Sequence, residues 1–555
     1  MMLRVVAIVI AGASVALTAR GGDQTADMRT RAEISNYEET STYADVTRVI
    51  DGLVATSPLV HTESFGKTEE GRDLPLMVIS DPKVTTPAAA RKLGRPLVFV
   101  QANIHAGEVE GKEAVLMLSR RLVSGDLKPL TRQLVILIAP DYNADGNEKV
   151  SPMNRTAQNG PVAGVGTREN SKGLDLNRDY MKLDSAEARS LVGLFNKWDP
   201  HVIVDLHTTN GSYHANHLTY SPILNPNADA RLIEFTRERM LAPVREKMLK
   251  THNWRTYYYG NFAPEDGGGR ESARVDPANP GNVTWRTFDH RPRFGNNYAG
   301  LRNRIAILSE AYSYLDFKGR VEVTEDFVEE IWRSAVVNAK QIMTLTAQAD
   351  RLFTAPASSK PLELGVSFEI RALPERAEIV VGDVTKVPNP RSGRDMLAMA
   401  PVATPVLMKE YGIFAATRSL PLPKGWVIPR GATNAALAAA IDRLRWHGVK
   451  VEEIADEVQV PVERFSIAGI TKAPKPFQGH QEARLTGAHD KALFTVPAGS
   501  LFIPANQPLA RLAFYLVEPE SDDGLVTWNI IEDGLSAGQT YPIYRVTDAR
   551  RITTR

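Results

Sequence analysis

Cysteine is absent from the 555-residue sequence. Its absence excludes disulfide bonds, thiolate nucleophiles, iron–sulfur clusters and cysteine-ligated zinc, so any metal ion must be held by histidine, aspartate or glutamate. Excess charge is also lacking, because 66 Lys and Arg against 65 Asp and Glu give a net charge of +1. The sequence therefore has no excess of positive charge that would attract nucleic acid or an anionic membrane surface, and we expect neither as a partner.

Apolar runs of transmembrane length are missing as well. The N-terminal apolar run, residues 5–17, follows Arg4 and is shorter than the roughly 20 residues that a membrane-spanning helix needs. A positive residue, a short apolar run and a small residue such as Ala19 are typical of a cleaved export signal. Position 20 is arginine, so no cysteine is available for lipidation. We predict a signal peptide over residues 1–19 and a periplasmic or extracellular protein with no membrane attachment after cleavage.

Between residues 60 and 310, short β-branched apolar runs alternate with helical patterns. The runs typical of buried strands are DLPLMVISD, RPLVFVQAN, QLVILIAPD, DPHVIVDLH and RIAILSE. Amphipathic segments such as GKEAVLMLSRRLVSG and SAEARSLVGLFNKW lie between them. The alternation predicts an α/β domain with a mixed, mostly parallel sheet flanked by helices.

The pattern changes towards the C-terminus. Residues 255–300 are rich in Gly, Pro and Asn without a period, and we interpret them as a long loop in the wall of a substrate pocket. Beyond residue 362, period-two alternation around one helical segment predicts a separate α+β domain rich in β-structure. The resulting division is an α/β domain at 20–350, a linker at 351–361 and a C-terminal domain of unassigned role at 362–555.

Polar residues follow the apolar strands at their carboxyl ends, where open α/β sheets place their ligand sites. VFVQAN leads into His105 and Glu108, HVIVDL into His207, and RIAILS into Glu310. Two histidines and one carboxylate are a full set of protein ligands for catalytic zinc, with one position left for water. A further carboxylate could take a proton from that water, whose pKa zinc lowers to about 7. Taken singly, each of these residues also fits an ordinary packed or surface role.

A second cluster is GLDLNRDY, in which Asp175, Asn177 and Arg178 are interleaved with leucines. The pattern fits either an edge strand with a solvated face or a segment that presents all three polar groups to a substrate. Arginine binds a carboxylate through two parallel hydrogen bonds, so Asn177 and Arg178 could meet an anionic substrate end. Asp175 could orient a ligating imidazole. We interpret Glu110 and Glu113, within the stretch 98–118, as acidic residues in the first turns of a helix that favour its dipole.

Several motifs in this order resemble the zinc carboxypeptidase (funnelin) metallopeptidase family over about residues 35–345. The resembling segments are SFGKTEEGRDLPLMVIS (the entry strand and its G-x-S-x-E-G-R signature), NIHAGEVEG (the first zinc motif), PDYNADGNE (the N-P-D-G turn), GLDLNRDY (G-V-D-x-N-R-N) and ILSEAYSY (the strand with the catalytic glutamate). The sequence departs from the family pattern at Thr68, Gly107 and Ala144, which stand at the usual serine, arginine and proline positions.

The resemblance implies one zinc ion held by His105, Glu108 and His207, with Asp175 orienting His105. Glu310 would act as general base towards water and then as general acid towards the leaving amine.

The resemblance also implies the substrate-binding residues. Arg155 would steady the tetrahedral oxyanion, with Arg168 as a competitor for that role, and Asn177 and Arg178 would hold the terminal carboxylate of the peptide. Tyr298 is our candidate for the mobile tyrosine that closes over substrate.

We therefore predict a metallocarboxypeptidase that hydrolyses the C-terminal amide bond of peptides with a free C-terminus. One alternative is a zinc amidase acting on peptidoglycan stem peptides or acyl-amino acids. Another is a non-catalytic peptide-binding protein on the same scaffold, which the retention of all four site residues disfavours. We assign no oligomeric state.

Overall fold

The structure is a computed structural model that describes residues 28–209, 211–265, 274–354, 362–432, 435–532 and 534–555. The predicted signal peptide lies outside the described residues, as does most of the predicted linker. Within the described ranges, no helix combines the length and the apolar character needed to cross a membrane.

The helices and strands of the described residues are numbered in chain order. The α-helices are α1 (Arg31–Ile34), α2 (Tyr43–Thr56), α3 (Pro87–Lys92), α4 (Glu110–Ser124), α5 (Ala144–Asn147), α6 (Ala186–Trp198), α7 (Ala230–Phe235), α8 (Ala242–His252), α9 (Gly295–Leu301), α10 (Phe317–Val337), α11 (Ala339–Thr354), α12 (Ala435–Trp446) and α13 (Ala510–Val517). The β-strands are β1 (Val60–Lys67), β2 (Asp73–Ile79), β3 (Leu97–Ala102), β4 (Val135–Ala139), β5 (Val202–Thr209), β6 (Leu218–Ser221), β7 (Thr256–Tyr258), β8 (Asn261–Pro264), β9 (Val283–Arg286), β10 (Ile305–Tyr312), β11 (Glu363–Val381), β12 (Val384–Pro388), β13 (Asp395–Met399), β14 (Thr404–Pro421), β15 (Gly425–Ile428), β16 (Glu452–Glu453), β17 (Val458–Lys472), β18 (Ala483–Val496), β19 (Leu501–Pro504) and β20 (Tyr544–Val546).

The central sheet has eight strands in the order β1-β2-β4-β3-β5-β10-β6-β7. Its middle strands β4, β3, β5 and β10 run parallel, as do β6 and β7, while β1, β2 and β6 add antiparallel pairings. The predicted mixed, mostly parallel sheet is confirmed, and the five apolar runs correspond to β2, β3, β4, β5 and β10.

Both faces of the central sheet are covered, which explains the continuous apolar runs. On β3, Leu97 and Phe99 belong to one buried cluster, whereas Val98 and Val100 belong to the cluster on the opposite face. Burying a side chain of this size contributes about 1.5–3 kcal/mol. Helices α2, α4, α8 and α10 supply one face and α6 and α9 supply the other. The sheet is therefore a rigid base for residues at its carboxyl edge.

The C-terminal region is closely joined to the α/β region. A four-stranded sheet in the order β11-β14-β9-β8 combines strands from both, so the segment 255–300, which we expected to be one long loop, contains strands β7, β8 and β9 and helix α9. A six-stranded sheet, β16-β19-β15-β20-β17-β18, with α12 and α13 gives the C-terminal region its predicted α+β character. Trp198 and Trp426 share one buried cluster. The division of the chain into two domains by a linker at 351–361 stays a prediction.

Candidate metal and active site

The candidate ligands lie at the carboxyl edge of the central sheet, which is the position predicted from the sequence. His105 follows β3, Glu108 lies just before α4, and His207 is part of β5. Glu310, on β10, is the direct register partner of His207 across the parallel β5–β10 pair. Neighbouring residues in register project to the same face of a sheet, so Glu310 and His207 face the same space.

The three candidate ligands converge on one point. The Nδ1 atom of His105 lies 3.0 Å from Glu108 Oε1, and the Nδ1 atom of His207 lies 3.0 Å from Glu108 Oε2. The two Nδ1 atoms are 3.2 Å apart. All three residues are 3% exposed, and their ligand atoms form a group that could hold a metal ion.

Two further carboxylates determine which imidazole nitrogens face this point. His105 Nε2 lies 3.0 Å from Asp175 Oδ1, and His207 Nε2 lies 3.0 Å from Asp205 Oδ2. This network assigns the Nε2–H donors to Asp175 and Asp205, which leaves both Nδ1 lone pairs turned towards the Glu108 carboxylate. Three buried acceptors facing one another are unfavourable unless a cation lies between them.

The donor set fits zinc. Imidazole nitrogen and carboxylate oxygen are its common ligands, and a tetrahedral ion with bonds of about 2.0–2.1 Å separates two nitrogen ligands by about 3.3 Å. The observed Nδ1–Nδ1 distance of 3.2 Å agrees with that spacing. The carboxylates behind the histidines are the partners that usually orient ligating imidazoles. Burial alone would raise the pKa of Asp175, but His105 and Arg168 hold it well below its usual range.

A cavity of about 320 Å³ opens beside the candidate ligands. The predicted site residues that line it are His105, Glu108, Arg155, Arg168, Asn177, Arg178, His207 and Glu310. Asp175 lies behind His105, as predicted for an orienting residue. Eight predicted residues, separated by up to 205 positions in sequence, thus meet around one cavity.

Glu310 is held in the cavity wall without a partner for its carboxylate. Among the described residues, no hydrogen bond or ion pair engages its side-chain oxygens. Burial raises the pKa of Glu310 to about 8, with nearby Glu108 adding to the rise and His207 opposing it. A cation bound at the neighbouring ligands would oppose the rise further. The carboxylate is available to water or substrate in the cavity.

Two arginines approach Glu108 from the cavity side. Arg155 donates from Nη1 to Glu108 Oε1 at 2.8 Å, and Arg168 donates from Nε to Asp175 Oδ2 at 2.9 Å, with its Nη1 3.6 Å from Glu108 Oε1. Arg155 has a φ of 47°, a sparsely populated conformation that tends to occur at functional sites. A Cβ at Gly107 would lie 2.5 Å from Arg155 Cδ. Glycine at this position, where the family usually has arginine, therefore leaves space for the Arg155 side chain.

Arg178 and Asn177 form the far side of the cavity. Asn177 Oδ1 accepts a hydrogen bond from the Gly295 amide at 3.1 Å, and Arg178 donates from Nη1 to the Asn177 carbonyl at 2.7 Å. The Arg178 guanidinium stacks 4.0 Å above the Phe294 ring. Within the described ranges, no carboxylate forms an ion pair with Arg178. Its remaining N–H groups are therefore the available partner for an anionic ligand.

The structure corrects the assignment of Tyr298. Its side chain is fully buried in α9, and its hydroxyl lies 2.8 Å from His447 Nδ1 and accepts from Arg302 Nη1 at 3.3 Å. Tyr298 does not line the cavity, because α9 turns it towards the C-terminal region. The aromatic residues that do line the cavity are Tyr259, Phe288 and Phe294.

Glu110 and Glu113 lie in the first turn of α4, as expected for acidic residues that favour a helix dipole, and they also make specific tertiary contacts. Both are buried. Glu110 accepts hydrogen bonds from the Thr208 hydroxyl and from Arg320, and Glu113 accepts from Thr40 and Ser41. These carboxylates fix the start of α4, and Thr208 follows His207 directly. They therefore stabilise the backbone segments that carry the candidate metal ligands Glu108 and His207.

Sequence reasoning missed Asp205 and most of the cavity wall. Asp205 stands two residues before His207 on β5, so a D-x-H pattern on a buried strand was the available signal. Tyr259, Phe288 and Asp289 belong to the segment 255–300, which was expected to form a pocket wall without assignment of individual residues.

Several known proteins are similar to this chain. The family model Peptidase_M14, zinc carboxypeptidase, matches residues 46–202. Carboxypeptidase 2 of Trichophyton rubrum is 24% identical over 511 residues, which cover 89% of this chain and 84% of that protein. Carboxypeptidase Z of Mus musculus is 33% identical over 150 residues, which cover 26% of this chain and 22% of that protein.

Solved metallo-carboxypeptidase structures also align with part of this chain. A metallo-carboxypeptidase from Burkholderia cenocepacia aligns with a TM-score of 0.37 and 14% identity over 52% of this chain and 68% of that chain. A metallo-carboxypeptidase from Pseudomonas aeruginosa in complex with (2-guanidinoethylmercapto)succinic acid aligns with a TM-score of 0.36 and 16% identity over 54% of this chain and 69% of that chain.

The family model and the curated relatives agree with the resemblance that the motifs carry. Residues 46–202 match the zinc carboxypeptidase family model, so the predicted resemblance to that family and the predicted enzyme class, a metallocarboxypeptidase, are confirmed. The family implies zinc, and the cluster of His105, Glu108 and His207 could hold it.

Proposed function

We propose that the protein is an exported zinc carboxypeptidase that removes the C-terminal residue from peptides with a free C-terminal carboxylate. The observation that carries the proposal is the convergence of two imidazole Nδ1 atoms and the Glu108 carboxylate beside the unpartnered carboxylate of Glu310. A binding protein would have no need for a partly buried carboxylate that, among the described residues, has no partner and lies next to a metal site.

His105, Glu108 and His207 would hold one zinc ion, which when bound supplies a Lewis acid and lowers the pKa of a water molecule to about 7. Glu310 would accept a proton from the attacking water and deliver it to the nitrogen of the leaving amine. Asp175 and Asp205 would keep the imidazoles in the tautomer that presents Nδ1.

Arg155 would donate a hydrogen bond to the oxygen on which negative charge develops. Its guanidinium lies beside Glu108 and inside the cavity, whereas Arg168 is held by Asp175. The Arg168 contact supports a role in orienting Asp175, so we favour Arg155 over Arg168 as the oxyanion donor.

Arg178 and Asn177 would bind the carboxylate of the C-terminal residue. The stack on Phe294 and the bond to the Asn177 carbonyl fix the guanidinium plane, and a fixed plane favours bidentate binding of a carboxylate. The substrate would thus be gripped at its end, which restricts hydrolysis to the last amide bond.

The test is hydrolysis of a peptide panel by the wild type and Glu310→Gln. We expect the wild type to release the C-terminal residue, to lose activity with a chelator and to regain it with zinc. Glu310→Gln should retain zinc but fall by about 10²–10⁴-fold in kcat. Equal rates for the wild type and Glu310→Gln would refute the assignment of the base, and cleavage of acyl-amino acids or stem peptides alone would favour the amidase alternative.

A further inference from the structure

A hairpin from the C-terminal domain reaches the cavity region. Strands β17 and β18 are joined by residues 473–482, whose tip is closed by backbone hydrogen bonds between Phe477 and His480 of 2.7 and 3.0 Å. Gln478 and Gly479, at the tip, have φ angles of 51° and 81°. The left-handed pair turns the chain sharply, and the side chain of Gln478 points back to the α/β domain.

Gln478 makes one specific contact there. Its Oε1 accepts a hydrogen bond of 2.8 Å from the backbone amide of Asp175. The Asp175 side chain holds His105 Nε2 at 3.0 Å and accepts from Arg168 at 2.9 Å. The Gln478 contact therefore fixes the main chain of the residue that orients a metal ligand.

Neighbouring contacts tie the same hairpin to the segment that follows. His480 Nε2 lies 2.7 Å from Asp184 Oδ2, and Asp184 also accepts from Arg443 of α12 at 2.9 Å. The hairpin thus spans Asp175 and Asp184 on either side of Arg178. A chain segment pinned at both ends has less freedom to shift the residues between them.

Residues of the C-terminal domain also form contacts with the opposite wall of the cavity, which contains Phe294. Arg293 donates to Asp523 Oδ1 at 2.8 Å and to Glu482 Oε1 at 2.5 Å. Arg293 immediately precedes Phe294, whose ring stacks against Arg178. Both walls around the carboxylate-binding arginine are therefore anchored by residues beyond position 362.

We propose that Gln478 is a positioning residue of the active site, and that the C-terminal domain completes the site by fixing Asp175. The inference rests on the proposed function, since it assigns a role towards the zinc ligands. Gln478 does not line the cavity and touches no ligand itself. Its effect passes through the Asp175 backbone to the orientation of His105, so it acts on metal retention as well as on turnover.

Three variants of the full chain test the proposal. Gln478→Met keeps the length of the side chain and removes the acceptor, whereas Gln478→Glu keeps an acceptor oxygen. Gln481→Met is the matched control, because Gln481 lies on the same hairpin, is exposed and, among the described residues, donates only to the Ala473 carbonyl. Zinc affinity is measured by competition with a chelator, and kcat and KM are measured on one free-acid peptide.

We expect Gln478→Met to bind zinc about tenfold more weakly, the lower end of the range for partners of metal ligands, and to lose kcat. Gln478→Glu should recover zinc affinity to within about threefold of the wild type, and Gln481→Met should match the wild type. Rescue by Gln478→Glu separates the hydrogen bond from general destabilisation.

Two results would overturn the proposal. One is equal zinc affinity and kinetics for Gln478→Met and Gln481→Met. The other is damage in Gln478→Glu as large as in Gln478→Met. If the wild type binds zinc and hydrolyses peptide while Gln478→Met matches it, this inference alone fails. A wild type that binds no zinc removes the proposed function and this inference together.

Discussion

Replacing Arg178 by methionine should abolish the preference for a free C-terminal carboxylate. Methionine keeps an apolar stem against Phe294 but removes the guanidinium. In the structure, Arg178 Nη1 donates to the Asn177 carbonyl at 2.7 Å and the group stacks 4.0 Å from the Phe294 ring. The remaining N–H groups have no carboxylate partner among the described residues. The substrate carboxylate is therefore the expected partner.

The magnitude follows from the number of hydrogen bonds lost. A bidentate guanidinium–carboxylate pair contains two charge-assisted hydrogen bonds, each contributing about 1.5–3 kcal/mol. Their loss from the transition state amounts to about 3–6 kcal/mol. At 1.36 kcal/mol per factor of ten, kcat/KM for a free-acid peptide should fall by about 10²–10⁴-fold. The same peptide with a C-terminal amide lacks the charged partner, so it should change by less than about threefold.

The assay is a cycle of two enzymes and two substrates, the free acid and the amide of one peptide. The ratio of the two kcat/KM values isolates the interaction between Arg178 and the carboxylate, because other effects of the substitution cancel. Arg91→Met is a matched control, since Arg91 lies on α3 and pairs with Asp199 outside the cavity. An equal loss on acid and amide would refute the assignment of Arg178.

Three further outcomes are expected. Asp205→Asn should weaken zinc binding by about 10–100-fold in chelator competition, and unchanged affinity would contradict its role behind His207. Tyr298→Phe should cost about 1 kcal/mol of stability and leave KM unaltered, and a large KM change would restore it as a substrate residue. Burial lowers the pKa of His447 to about 3. The folding stability that neutral His447 contributes is therefore fully present above its unfolded pKa of about 6.5. This stability is lost as pH falls, by about 2 kcal/mol between pH 7 and 5. As pH falls from 7 to 5, the melting temperature of the wild type should fall relative to that of His447→Gln, and a constant difference between the two would contradict the burial of a neutral His447.

The sheet and its metal ligands could be predicted from sequence because both depend on local patterns. Buried parallel strands are continuous apolar runs, and their carboxyl ends meet at one edge. His105, Glu108 and His207 each follow or end such a run, and the structure brings them within hydrogen-bonding distance. The same logic placed Glu310 beside His207.

The remaining features depend on contacts between distant parts of the chain. Tyr298 was assigned as the mobile tyrosine from the family resemblance, but the face of α9 that it occupies packs against His447, 149 residues away. The contact of Gln478 with Asp175 spans 303 residues. Glu110 and Glu113 follow a helix-start pattern that cannot distinguish an exposed first turn from a buried one. In each case the tertiary packing decided the role.

The most direct test of the central claim is the position of zinc in crystals of the wild-type protein, measured by anomalous scattering at the zinc absorption edge. We expect one peak per chain, bonded at about 2.0–2.2 Å to Nδ1 of His105, Nδ1 of His207 and the carboxylate of Glu108, with Glu310 facing the ion but not bound to it. No peak at this position, or a peak held through Nε2 atoms, would refute the proposed zinc site.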